Sequence, residues 1–161
     1  QFDFYHGGGL DIAFLGLAQV DQSGNINVSR FGKKIPGCGG FIDITQNAKE
    51  VVFCGTFTAS GLEVISEAGK LRIIKEGKVK KFVPRVEHIT FSSLFALGQN
   101  QKVLYVTERA VFTLTENGLM LTEIAPGIDL QKDILDQMEF QPLMADHIPE
   151  MDHQIFRNES K

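Results

Sequence analysis

The residues with most chemical promise are a glycine cluster, Pro36-Gly37-Cys38-Gly39-Gly40, followed by apolar Phe41 and Ile42. Small residues in such a run leave several backbone N–H groups unshielded ahead of a helix, where they can converge on an oxyanion or a phosphate. The run has neither the GxGxxG spacing of a dinucleotide loop nor the GK[ST] ending of a P-loop. Cys38 is a candidate nucleophile, but no histidine lies near it in sequence, and an activated thiol needs a base or a cation beside it. A second run, Gly7-Gly8-Gly9, is either a flexible turn into the first strand or a close backbone approach to a ligand. The four histidines, His6, His88, His147 and His153, are scattered, with no i, i+4 pair and no CxxC partner, so no metal site is expected. Carboxylates occur in every polar segment, and no acid–base pair stands out among them.

The elements that must carry these residues are read from periodicity. Residues 10–20 are nearly continuously apolar and predict a fully buried strand. Ser23-Gly24 predicts the turn of a hairpin whose second strand covers residues 25–31. After the glycine cluster a short helix is expected over residues 45–50, capped by Asp43 or Thr45, and then the strand VVFCGTF, with Cys54 buried inside it. Strand, glycine loop, helix and strand in that order predict an α/β protein with a buried sheet. LEVIS, KLRIIKEG and KVKKFV read as further strands, with Glu76-Gly77 turning a tight hairpin. The basic run Lys75, Lys78, Lys80 and Lys81 reads as its solvated face, against the alternative of a phosphate track. Residues 91–97 have no clear period. KVLYVTE is a strand, and AVFTLTE and LMLTEI form a hairpin around Asn117-Gly118. Residues 128–140 predict a helix capped by Asp129, with Ile128, Ile134, Leu135 and Met138 on its apolar face. From Pro142 the chain reads as a tail that packs on something else or frays.

Composition narrows the function. With 16 Lys and Arg against 20 Asp and Glu, net charge −4, and both signs interspersed, the 161 residues lack the basic excess of a nucleic-acid surface. No apolar run reaches the roughly 20 residues of a membrane span. The N-terminus has no signal-peptide pattern. Two cysteines in a chain of this length make no disulfide framework, which favours a reducing compartment and a cytoplasmic location. The opening at Gln1, without methionine and already core-like, reads as a fragment or a processed piece.

Several stretches in order resemble the family I coenzyme A transferases, which include the acetate and 3-oxoacid enzymes. They are FDFYHGGGLDIAFLGLAQVDQSGNINVS, GCGGFIDITQNAKEVVFCGTFTASGLE, VLYVTERAVF and LTEIAPGIDLQKDILDQMEF. Together they cover the chain to about residue 141. Within the family the chain resembles the single-chain bacterial short-chain acyl-CoA:acetate transferases, and corresponds to the C-terminal portion of their second, beta-like half. The resemblance implies an α/β fold with an open, mostly parallel sheet, flanking helices and added β-hairpins, of the CoA-transferase and NagB/RpiA-like type, here as an incomplete domain. It implies one unit over residues 1–141 and a C-terminal tail over residues 142–161.

The chemistry that the resemblance implies is ping-pong transfer of coenzyme A. A glutamate carboxylate attacks the thioester of an acyl-CoA, giving an acyl anhydride and CoA thiolate. The thiolate attacks the anhydride, giving a glutamyl-CoA thioester and the free carboxylate, and an incoming short-chain carboxylate takes the CoA by the reverse sequence. Each acyl transfer passes through an oxyanion, and the family's G-x-G-G loop supplies a backbone donor to it. Its match is Gly37-Cys38-Gly39-Gly40, with the donor at the Gly40 amide and Gly39 giving the backbone freedom to present it. No cofactor is implied, since coenzyme A thioester is a substrate. The implied partners are acyl-CoA, a short-chain carboxylate, the missing N-terminal part of the same protein and further copies in a homo-oligomer, with no nucleic acid and no membrane.

The nucleophilic glutamate of the family lies in an E-[SN]-G motif before this region, so the chain as given is expected to lack it and to be inactive alone. Thr115-Glu116-Asn117-Gly118 spells a similar string, but it follows the glycine loop and sits in a predicted hairpin turn. Glu108, in VTERAVF, matches a strand end in the family's later part. The alternatives are a non-catalytic binding or regulatory module on the same scaffold, and a related thioester hydrolase or lyase subunit.

Overall fold

The structure, a computed structural model, describes residues 9–157; Gly7, Gly8 and His6 of the motifs above lie outside them, as do residues 158–161. Its main layer is a six-stranded sheet with strands β1 (Ile12–Gly16), β4 (Glu50–Cys54), β10 (Lys102–Val106), β11 (Ala110–Thr115), β12 (Gly118–Ile124) and β13 (Leu143–Met144), in that spatial order. The pairs β1–β4, β4–β10 and β12–β13 are parallel, and β10–β11 and β11–β12 antiparallel, so most of the sheet's pairings are parallel. The fold is the expected α/β type, with few helices.

The core lies where alternating strand residues meet short helix α1 (Phe41–Asn47). Val51, Phe53, Val103 and Tyr105 are buried on β4 and β10, and Phe41 stacks on Phe53 with ring centroids 5.8 Å apart. Phe53 also meets Phe91 edge-on at 4.9 Å and Tyr105 at 5.5 Å. Such aromatic pairs each add about 0.5–1.5 kcal/mol beyond simple burial. The buried Tyr105 hydroxyl donates to the Gly24 carbonyl at 2.5 Å. Gly24 has φ +87, and a Cβ there would lie 2.7 Å from that hydroxyl, so the Ser23-Gly24 turn needs glycine for both conformation and space.

Residues 10–20 do not form one buried strand. They split into β1 and β2 (Gln19–Asp21), which belong to different sheets: β2 pairs with β3 (Ile26–Asn27) and β9 (Phe82–Val83). β1 is an edge strand with Ile12 44% and Phe14 68% exposed. The expected second strand shrinks to β3 because the Asn27 side chain takes the amides of Ser29 and Arg30.

The expected hairpin at Glu76-Gly77 is also corrected. Strand β7 (Lys70–Lys75) pairs back with β6 (Glu63–Glu67) through a turn at Ala68 and Gly69, both at positive φ. β8 (Val79–Lys80) pairs instead with β5 (Thr58–Ala59). Residues 91–97 resolve into helix α2 (Ser93–Gly98), capped by the Ser92 hydroxyl accepting from the Phe95 amide. The predicted helix over residues 128–140 contracts to a wide π-type turn, Leu130–Ile134, and a 3-10 turn, Leu135–Gln137. Asp129 caps it as expected, accepting from the Lys132 amide at 2.8 Å. Side chains then take carbonyls further along: Arg109 donates to that of Asp133 and Lys80 to that of Asp136. Residues 143–151 run along β12, with Met151 buried, and Phe156 is buried in the following turn, where His153 and Arg157 approach Gly69. Among the described residues no helix is long and apolar enough to cross a membrane.

Candidate functional site

The glycine cluster runs directly into α1. Phe31 and Lys34 exchange two backbone hydrogen bonds, and between them Gly32 takes φ +56 and donates its amide to Glu87 at 2.6 Å. Gly37 and Gly39 follow at φ +81 and +50, conformations that favour glycine. A Cβ at either would meet nothing within 4 Å, so conformation alone selects glycine there. The Cys38 carbonyl then accepts from the Phe41 amide at 3.0 Å, closing the turn.

The helix therefore starts four residues earlier than expected, at Phe41, with Gly40 at its N-cap and neither Asp43 nor Thr45 capping it. Burial of Phe41 and Thr45, one turn apart, fixes the start. Gly40 differs from its neighbours: its φ of −82 is ordinary, and a Cβ there would meet only Ile44 Cδ1, at 3.7 Å. No group among the described residues accepts a hydrogen bond from the Gly40 amide, nor from that of Gly39. Cys38 is half-buried and packs against the hydrophobic core.

Topology sets which end of the sheet this turn occupies. Because α1 leads through Ala48 and Lys49 into the start of β4, it runs back against that strand, and its N-terminus faces the carboxyl ends of β1, β4 and β10. The stacking of Phe41 on Phe53, near the end of β4, agrees with this placement. Crevices beyond the carboxyl ends of parallel strands are where open α/β sheets bind ligands. Glu116 lies at the other end. It is exposed in the turn between β11 and β12, and β11 runs antiparallel to β10. That hairpin was legible in advance, although Glu116 and Asn117 are the turn residues and Gly118, at φ +114, opens the next strand.

Sequence reasoning missed a charge network at the carboxyl end. The Arg109 side chain is fully buried, with Nε on Glu108 Oε1 at 2.6 Å and Nη1 on Glu76 Oε2 at 2.7 Å. Its guanidinium lies 5.0 Å over the Phe57 ring. Thr58 Oγ1 donates to Glu76 as well. Burial pushes the Glu76 carboxyl up, but hydrogen bonds from Arg109 and Thr58, the Arg109 charge and the Gly77 amide outweigh it and hold the group below its ordinary value. Lys81 is not on a solvated face: it is 7% exposed, and desolvation, opposed by the nearby Glu108 charge, lowers its ammonium to about 8. The rest of the basic run is more open, with Lys75 paired to Glu63 at 3.1 Å. Charged residues in the middle of a chain give no sequence signal that they converge, which is why the network was not found. Cys54 is exposed at the tip of β4 rather than buried, and partial desolvation raises its thiol.

The comparisons with known proteins converge. Over 97% of its length the chain is 55% identical to acetate CoA-transferase YdiF of Escherichia coli, covering 29% of that protein. It is 53% identical to caffeate CoA-transferase of Acetobacterium woodii, again over 97% of the chain and covering 30% of the relative. The solved apoenzyme of acyl-CoA transferase YdiF from Escherichia coli O157:H7 superposes with a TM-score of 0.96 at 53% identity, over 99% of this chain and 31% of that one. Glutaconate coenzyme A-transferase from Acidaminococcus fermentans, at 19% identity and a TM-score of 0.65 over 94% of this chain and 56% of that one, shares the fold. No family model matches. The chain spans under a third of the length of the first two relatives it matches.

Proposed function

The chain belongs to the family I coenzyme A transferases, as a stretch of their second, beta-like half, and we propose that the whole protein transfers coenzyme A between an acyl-CoA and a short-chain carboxylate. In this reading the turn Gly37-Cys38-Gly39-Gly40 binds the acyl oxygen, and the Gly40 N–H donates to the oxyanion of each tetrahedral intermediate. The nucleophilic glutamate comes from a part of the protein outside this chain. Coenzyme A enters and leaves as substrate, and no cofactor takes part.

The observation that carries this reading is the bare Gly40 amide. Among the described residues, neither conformation nor packing asks for glycine at that position, and no acceptor meets its N–H. A residue that is glycine without local cause suits the close approach of a group from elsewhere. One such donor, preorganised where the charge develops, is worth roughly 2.7–4 kcal/mol in a hydrolase. The exposed Ile12 and Phe14 on edge strand β1 support a further segment of the same protein, or a second copy, packing at that side. We place the reaction in the cytoplasm.

The test uses the full-length protein with acetyl-CoA and a short-chain carboxylate. Formation of the new acyl-CoA with ping-pong kinetics, dependent on the acceptor, is the expected result. Release of free CoA at the same rate without acceptor would overturn the transferase reading in favour of a thioester hydrolase. Absence of either reaction would favour a binding or regulatory module.

A further inference from the structure

One peptide group at the carboxyl end of β4 is held from one side by a buried ammonium and from the other by a partly buried carboxylate. The Thr56 carbonyl accepts from Lys81 Nζ at 2.6 Å, and the amide of the next residue, Phe57, donates to Glu108 Oε2 at 2.8 Å. These are the two polar atoms of a single peptide bond. Its orientation is thus set by an ammonium and a carboxylate that arrive from different parts of the chain. Charge-assisted hydrogen bonds of this kind are short and about twice as strong as neutral ones.

Each clamping group is itself held. Glu108 is fixed by Arg109 Nε, and Arg109 by the Glu76 carboxylate. Glu76 in turn accepts from Thr58 Oγ1 and from the Gly77 amide, so the network returns to the segment it clamps. Phe57 is fully buried, whereas Thr56 is exposed, which puts the clamped peptide at the rim of the core. Gly55 leaves room beside the Leu17 carbonyl and Lys81 Nζ. A Cβ there would lie 3.0 Å from Nζ and 2.8 Å from the Leu17 carbonyl oxygen. The Gly55 amide continues the ladder to the Val106 carbonyl, so the turn begins where β4 and β10 end.

Stability alone gives a poor account of this arrangement. Apolar residues of similar volume usually serve a fold as well as buried ions, which cost desolvation. Ions that grip both faces of one peptide specify where that peptide is. We propose that Lys81 and Glu108 are positioning residues for acyl transfer, fixing the Thr56–Phe57 peptide at the same end of the sheet as the glycine turn and so shaping the wall that faces the bound acyl-CoA. This rests on the transferase reading given above. Misplacing a wall of a reaction site by about 1 Å can cost on the order of 100-fold in rate.

The structure also gives the pair a pH signature. Among the described residues Glu108 is the charge that acts on Lys81; Arg109 and Glu76 lie beyond it, and Leu17 and Gly55 bring no ionisable side chain. As pH rises through about 8 the ammonium is lost, leaving Glu108 without its nearby cation on that side.

The experiment measures kcat and KM of the full-length protein and its Lys81→Met and Glu108→Gln variants across that pH range. Hydrogen exchange of residues 55–58 is followed in the same samples. We expect each variant to lower kcat about 10–100-fold with KM for acyl-CoA changed less than about threefold, and to speed exchange at the Phe57 amide. Wild-type kcat should fall above pH 8, and the Lys81→Met profile should lack that limb. Variants that keep wild-type kcat while the enzyme transfers CoA would overturn the positioning role and leave the transferase reading standing. A wild type that moves no CoA would overturn the transferase reading, and the role in transfer with it; exchange at Phe57 would then report the clamp alone. Should Lys81→Met fail to fold, unchanged wild-type protection of residues 55–58 on raising the pH would by itself contradict the inference.

Discussion

The Arg109 guanidinium spans both oxygens of the Glu76 carboxylate, Nη1 to Oε2 at 2.7 Å and Nη2 to Oε1 at 3.1 Å. This forked pairing needs the planar geometry of arginine. Removing it by Arg109→Met takes from Glu76 its buried cation and leaves Glu108 with Lys81 alone. Such a loss costs roughly 3–5 kcal/mol for a fully buried pair, and the lower end applies because the Glu76 side chain stays 27% exposed. Arg109→Lys should recover less than half of the loss, since an ammonium cannot bridge both oxygens and reach Glu108. Unfolding of the full-length protein in denaturant measures both; a lysine variant as stable as the wild type would refute the forked pairing as the cause.

The same carboxylate sets an acid limit. Glu76 has a folded-state value below its unfolded 4.5, so its stabilisation is present above that pH and is lost as pH falls through the lower folded value. Glu76→Gln removes the titration. The stability gap between wild type and variant should therefore be widest near neutrality and narrow below about pH 4.5. A gap that is constant from neutral to acid pH would show that the pairing carries no proton linkage.

Two glycines should fail for different reasons when replaced by alanine. At Gly77 a Cβ would lie 2.5 Å from the Ala59 carbonyl oxygen and 2.6 Å from Thr58 Oγ1, with no positive φ to relieve. Crowding of this kind costs typically about 1–3 kcal/mol, and here it also displaces Thr58 from Glu76. At Gly37 there is open space but φ is +81, so Gly37→Ala should cost about 1 kcal/mol through backbone strain alone. Melting temperatures of the two variants decide it, and the reverse order of severity would contradict the geometry.

Cys38 packs half-buried against the core inside the glycine turn, and no histidine is hydrogen-bonded to it among the described residues. His88 instead meets Ser29, and His153 meets Glu150. Cys38→Ala should accordingly keep transfer within about threefold of wild type, because thiol nucleophiles need an adjacent base or cation. Loss of activity to the background level would restore the cysteine as a nucleophile. The exposed Cys54 should be alkylated faster as pH rises towards its raised thiol value.

Local chemistry was the legible part of the sequence. The Asp129 cap acts through a neighbour in the chain and was found in place; the turns at Gly24 and just before Gly118 were legible as turns, although distant residues limit the space at both glycines. Parallel β4 and β10 were legible for a related reason, since burial on both faces writes continuous apolar runs. What failed depended on distant partners. Glu76 looked like a hairpin turn until Arg109, 33 residues away, took its carboxylate. The helix after Asp129 was shortened where Arg109 and Lys80 reach its carbonyls. At the candidate site the glycine motif was visible, but the start of α1 was not. The buried Phe41 sets it, rather than a polar cap.

Gly40→Pro in the full-length protein tests the central claim most directly. Proline removes the N–H at a φ of −82 that its ring can adopt, and no group among the described residues accepts a hydrogen bond from that amide; Gly39 before it, at φ +50, is the residue that a proline restricts. If the Gly40 amide stabilises the oxyanion, kcat for CoA transfer should drop about 100- to 1,000-fold, and the melting temperature of the same samples separates that loss from strain at Gly39. Transfer at the wild-type rate in the folded variant would contradict it.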